Sequence, residues 1–261
     1  MGYTTHFLDR VVDRKNFFAE KNICTLGVLY PYVSKKYLKN CFGADLLEVS
    51  DRNFSKAVFI DHLKASTISA LDISDYQGSE IIFDLNSAPI DPKLKNQFDV
   101  IFDLGTIEHL INPYQGLVNI FELIDIGGEY WFDIPCNNWI DHGFFQISPT
   151  FYHDLSLQFL GLKLVELGIH VGNRSILIDD LGPCGRTVLN SCFCRVNVWG
   201  RIKKVSNEVE PVSVLQAKYA DNSADSGYKY LRQIAKYLFS IPIFPLGLRL
   251  AVAKLVDVSV R

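Results

Sequence analysis

The chain has 261 residues, 26 basic and 29 acidic side chains, a net charge of −3 and 48% hydrophobic residues. That is apolar material for a sizeable core, and the charge is too balanced for a surface built to coat a polyanion. The six cysteines (24, 41, 136, 184, 192, 194) include no C-x-x-C pair and are too sparse for a disulfide framework. With a polar start, MGYTTHFLDRVVDRK, that lacks a secretory apolar stretch, they point to a cytoplasmic setting.

Residues 1–42 read as an N-terminal cap, helical cover with a strand-like ICTLGVLY. Five core strands follow: Asp45–Val49, Ile68–Ile73, Glu80–Phe83, Phe98–Phe102 and Glu129–Ile134. The first two flank NFSKAVFIDHLK, whose Phe54, Val58, Ile60 and Leu63 approximate a helical stripe. The last two flank PYQGLVNIFELID, which Gly127-Gly128 should stop. After the fifth strand, Ser148 and Pro149 open a third helix that Gly161 closes. LKLVELGI and TVLNSCFCRVNVWG then suit a hairpin or edge pair. Residues 206–227 are a polar linker, and 228–261 form a basic, apolar helical tail. From Lys229 onward that tail has six basic residues and one acidic one, so it is net +5 and leaves the rest of the chain at −8.

Ligands of open α/β sheets sit beyond the carboxyl ends of the strands. Four expected strands end on or beside an acid: Glu48, Asp72, Asp84 and Asp103. Carboxylates there can accept hydrogen bonds from a ribose diol or an adenine amine; equally, each can cap a turn.

The run FDVIFDLGTIEHLINPYQGLVNIFELIDIGGEYWFDIP (Phe98–Pro135), preceded by LDIS and FDL, resembles the later motifs of class I S-adenosylmethionine-dependent methyltransferases. DHGFFQISPTFYHDL (Asp141–Leu155) is similar to a subgroup associated with glycan and polysaccharide biosynthesis. The resemblance covers about residues 44–198. It implies an α/β fold: a doubly wound, seven-stranded Rossmann-like methyltransferase sheet with helices on both faces, in a domain over 43–205. It also implies S-adenosyl-L-methionine as cofactor, with Asp72 on the ribose, Asp84 and Leu85 at the adenine, and Asp103, Gly105 and Thr106 at the methionine end. Glu108 and His109 would lie beneath the sulfonium. The glycine loop expected after the first strand falls on Glu48, Ser50 and Asp51 in EVSDRNFS, where Ser50, Arg52 and Phe54 replace all three glycines.

The acceptor implied is a hydroxyl of a sugar or another small metabolite, with His142 as the base that takes its proton, or as a residue that only holds its loop. A catalytically silent methyltransferase-like subunit that binds a partner enzyme is the competing reading, prompted by the missing glycines. No metal is expected, because Cys192 and Cys194 lack a second ligand pair. No nucleic-acid partner is expected of an acidic body. The tail over 229–261 reads as a peripheral contact with the inner face of the membrane, as a cover for the domain, or as a homodimer surface.

Overall fold

The computed structural model describes residues 2–172, 174–178 and 194–208. The chain divides into two compact units. One comprises 1–181 and 185–214 and holds all the described residues; the other comprises 182–184 and 215–261 and lies outside them, as does the basic tail.

In the first unit, β1 (Gly2–Tyr3) leads into α1 (Thr5–Asp13), whose first turn is closed by the Thr4 side chain accepting from the Phe7 amide. Then come β2 (Asn22–Leu26), β3 (Tyr30–Pro31) and α2 (Lys35–Phe42), the last capped by Ser34. A short α3 (Phe54–Lys56) runs on as a π-helical Ala57–His62. β4 (Thr67–Asp72), β5 (Ile81–Ile82) and β6 (Phe98–Asp103) precede α4 (Pro113–Leu123), where Asn112 caps and Pro113 takes the first helical position. β7 (Ile124–Asn137), α5 (Pro149–Gln158), β8 (Leu162–Val171), β9 (Arg174–Leu177) and β10 (Val196–Lys204) complete the unit.

Among the described residues the main sheet has eight strands in the order β5-β4-β2-β6-β7-β10-β8-β9. The pairs from β5 through β7 are parallel, and β10 runs antiparallel to both β7 and β8. This is a doubly wound, Rossmann-like sheet, with β9 added at one edge. Strand periodicity separates two cores. Ile101, Tyr130, Phe132 and Ile134 pack with α4 and α5 on one face. Val100, Phe102 and Trp131 meet Phe7, Phe54 and Phe59 on the other.

The first strand is the main correction. Asp45–Val49 is not a strand: Ala44–Leu47 forms a 3-10 turn in which only Leu46 is buried. The strand in that place is Asn22–Leu26, paired with β4 on one side and β6 on the other. A central parallel strand is covered on both faces and needs an unbroken apolar run. Ile23, Cys24, Thr25 and Leu26 are all buried and meet that demand. Asp45 and Glu48 are exposed and do not. Residues 1–42 are therefore no separate cap, since they carry the strand at the centre of the sheet.

Smaller differences follow local packing. α4 ends at Leu123, and Gly127-Gly128 lies inside β7. Ser148 precedes α5 as expected, but its side chain caps no amide. β10 runs on to Lys204, whose buried ammonium donates to Asn96 Oδ1 and the Ile124 carbonyl, both at 2.8 Å. Residues 187–193 of the expected hairpin lie outside the described residues, Cys192 among them. Among the described residues no helix is long and apolar enough to cross a membrane.

Candidate functional site

Strand order reverses between β2 and β6, which makes the crevice beyond their carboxyl ends the topological switch point. Each strand leaves the sheet through a glycine of positive φ, Gly27 (+79°) after β2 and Gly105 (+112°) after β6. This left-handed region is one that L side chains avoid. Gly27 is fixed by its amide, which donates to the Leu71 carbonyl on β4 at 2.7 Å. The β6 side is tied in by the Thr106 hydroxyl, which donates to the Leu26 carbonyl at 3.1 Å. Two strand ends are thus laced together, each turning through a residue without a side chain.

Asp103 stands at the end of β6 as expected, yet its carboxylate turns inward and is fully buried. It accepts from the Tyr130 hydroxyl at 2.7 Å and from the Thr106 and Gly105 amides at 2.8 and 3.3 Å. Burial still holds its carboxyl above the ordinary range. It shapes the loop and exposes no oxygen. Asp72 is half-buried at the end of β4, and one oxygen accepts from the Ile73 amide. Asp84 closes a turn onto the Asn86 amide and side chain, which holds its carboxyl low, and Leu85 is buried behind it. Glu48, Ser50 and Asp51 are exposed and follow no core strand. Their neighbour Arg52 packs against Gly78, in the turn after Asp72.

Beside the switch point lies a cleft of about 160 Å³. Gly105, Glu108, Asp133, Pro135, Trp139 and His142 line one side, and Gly2, Thr4 and Tyr32 help close another. Glu108 is 0% exposed, and neither of its oxygens has a hydrogen-bond partner among the described residues. Burial, then the charge of Asp103, pushes its carboxyl up to about 8. The loop after β7 brings His142 to it, anchored by the Phe144 and Phe145 amides donating to the Glu108 carbonyl at 2.8 and 3.1 Å. Gly143, at φ +70°, makes the approach possible: a Cβ there would stand 2.9 Å from Glu108 Cγ. His142 Nε2 ends 3.6 Å from Glu108 Oε1, and His109 Nε2 3.8 Å from the same atom. The His142 ring leans on Trp139 at 5.0 Å, and Arg195 covers Trp139 from 4.5 Å. Burial, then His142, holds His109 below the usual imidazole range.

A second polar group borders the cleft and was missed in the sequence. Asp133 is buried in β7, 3.3 Å from Arg10 Nη2 and from His170 Nε2, and accepts from Asn197 Nδ2 at 2.9 Å. His6 stacks on His170 at 4.2 Å. Its sequence signal was an acid inside the apolar run YWFDIP. Burial pushes the Cys136 thiol, at the end of β7, up to about 11, which favours the thiol over the thiolate.

No family model and no curated protein matches the chain. Among solved structures, the complex between the Haloferax volcanii Trm112 methyltransferase activator and a methyltransferase is similar at 12% identity, TM-score 0.46, over 77% of this chain and 88% of that one. YcgJ of Bacillus subtilis is similar at 9%, TM-score 0.45, over 78% and 100%. The 1,6-didemethyltoxoflavin-N1-methyltransferase of Burkholderia thailandensis, solved with S-adenosylhomocysteine, is similar at 11%, TM-score 0.41, over 77% and 82%.

Proposed function

We propose that the chain is an S-adenosylmethionine-dependent methyltransferase acting on a hydroxyl of a sugar or other small metabolite. The observation that carries this is the pair of glycine turns, Gly27 and Gly105, at the switch point, the second of which borders a cleft that also reaches Glu108, a buried carboxyl without a hydrogen-bond partner among the described residues. The residues fit the cofactor. Two left-handed glycines give backbone access without side chains, and Asp72, which accepts from the Ile73 amide through Oδ1, would meet the ribose hydroxyls through its other oxygen. Thr106 fixes the distance between the two glycine turns. The glycine-loop role thereby passes from Glu48, Ser50 and Asp51 to Gly27. Those three residues, beside Arg52 and the turn after Asp72, remain candidates for the ribose rim, and Asp84 and Leu85 for the adenine.

When bound, the cofactor supplies an electrophilic methyl group on a sulfonium. The protein must orient the acceptor oxygen and take its proton. His142 and Glu108 meet at the cleft wall, so His142 is the base of this reading, its loop anchored by the Phe144 and Phe145 amides on the Glu108 carbonyl, and His109 flanks both. Asp133 and Asn197 offer hydrogen-bonding atoms to a polyhydroxylated acceptor.

Calorimetric titration with S-adenosylmethionine and S-adenosylhomocysteine tests the reading; no binding at millimolar ligand would sink it and favour the silent, partner-binding subunit. Glycan acceptors are supported by the resemblance of residues 141–155. Membrane contact rests on the composition of residues 229–261, and liposome flotation with and without that segment decides it.

A further inference from the structure

We propose that Glu108, His109 and His142 bind one divalent transition-metal cation of the kind that imidazole nitrogens favour, such as Zn²⁺ or Co²⁺, at the wall of the cleft. One oxygen and two nitrogens from these residues lie within 4.8 Å of one another. The two imidazole nitrogens stand 3.6 and 3.8 Å from Glu108 Oε1, beyond the range of a hydrogen bond. Two atoms each bonded at about 2.0–2.2 Å to a common cation lie roughly 2.8–3.6 Å apart at octahedral to tetrahedral angles; the two distances to Glu108 stand at the edge of that range, and the two imidazole nitrogens, within 4.8 Å of each other, close the set by turning inward.

The independent sign is the carboxylate itself. Glu108 is 0% exposed, with both oxygens lacking hydrogen-bond partners among the described residues, and a buried polar group without partners is costly. A cation would satisfy it. The positions are preorganised by backbone, because the Glu108 carbonyl anchors the His142 loop through two amides and Gly143 leaves no side chain in the way. The side chains of His109 and His142 are 46% and 43% exposed, so the remaining coordination positions face water and the cleft. Three protein ligands with open positions is the arrangement of a catalytic rather than a structural site. Two imidazoles disfavour Mg²⁺, which prefers oxygen ligands.

The role of the cation, though not its binding, rests on the methyl-transfer reading. An acceptor hydroxyl entering an open position would bind through oxygen and lose its proton to water at the exposed face. Its lone pair would then form the new O–C bond as the methyl's bond to sulfur breaks, leaving that electron pair on sulfur. In the loaded protein His142 is a ligand and no longer the base.

The test uses the full chain, stripped with chelator and dialysed, titrated calorimetrically with Zn²⁺ and Mg²⁺ and followed by visible absorbance with Co²⁺. One equivalent of Zn²⁺ or Co²⁺ should bind at micromolar concentration or tighter, with Mg²⁺ silent. His109→Ala and His142→Ala should each weaken binding by about tenfold or more. His6→Ala serves as a control for the other histidine pair and should leave binding unchanged. Circular dichroism verifies that each variant folds. Absence of binding at millimolar Zn²⁺ and Co²⁺, or full affinity in both ligand variants, overturns the proposal. Parallel titrations with S-adenosylmethionine separate the two claims. Cofactor binding without metal binding removes the cation and leaves the methyltransferase; metal binding without cofactor binding does the reverse.

Discussion

Replacing Gly143 with alanine isolates the device that brings His142 to Glu108. At φ +70° a non-glycine residue costs about 1–2 kcal/mol. The new Cβ would also stand 2.9 Å from Glu108 Cγ and 3.0 Å from its carbonyl oxygen, and both belong to a fully buried residue with little freedom to yield. Opposing this are the two amide bonds from Phe144 and Phe145 to that same carbonyl, together contributing about 2 kcal/mol at roughly 1 kcal/mol each. Strain and restraint are of equal size, so the loop should detach while the sheet stays folded. The side chains of Phe144 and Phe145 are exposed, so little core is lost. Hydrogen exchange reads the outcome: losing about 2 kcal/mol of local protection speeds exchange of the Phe144 and Phe145 amides by about thirtyfold. Protection in β6 and β7 should not change. Unaltered exchange at 144 and 145, or loss of protection throughout the sheet, would refute the reasoning.

Three further outcomes follow from the geometry. Asp72→Ala should weaken S-adenosylmethionine by about tenfold, the worth of a hydrogen bond to a charged group, with little change in melting temperature because Asp72 is only half-buried; equal calorimetric affinity would remove Asp72 from the ribose. Tyr130→Phe withdraws a 2.7 Å bond from the buried Asp103 carboxylate and should cost about 1–3 kcal/mol in urea denaturation, and an unchanged midpoint would show that the loop amides suffice. The carboxyl of Asp133 would be raised by burial alone, but His170, Arg10 and Asn197 hold it below the usual carboxylate range. A depressed folded pKa adds stability that is full above the unfolded value of about 3.9 and is lost as pH falls through the folded value. Asp133→Asn should therefore be less stable than the wild type at pH 7, with the gap closing below about pH 4; a pH-independent gap in denaturation midpoints would argue against the ion pairs.

The strands that carry β4, β6 and β7 were legible because their apolar runs are flanked by turn residues and by a well-capped helix such as α4. β2 was misplaced because EVSDRNFS mimics a cofactor loop in composition, whereas the requirement of a central strand is burial on both faces. ICTL meets that requirement, and Gly27 marks its end. The inward turn of Asp103 was hidden, since it depends on a tyrosine hydroxyl from the next strand. So was the meeting of Glu108 with His142, which a glycine turn and two amides arrange from a loop remote in sequence. Side-chain type was readable along the chain; which face of a turn it takes was decided by tertiary partners.

The crossover from β2 to α3, residues 27–53, holds β3, α2 and two 3-10 turns where a compact βαβ unit would place a short loop. Lengthening such a connection costs little, about 0.6 kcal/mol per doubling. The rim beside the switch point can therefore accept insertions and deletions while β2 stays locked between β4 and β6. The same crossover sets Tyr32 at the edge of the cleft and buries Leu29, Leu38, Phe42 and Leu46 in the core shared with Val100, Phe102 and Trp131, so length can change cheaply only between those anchors.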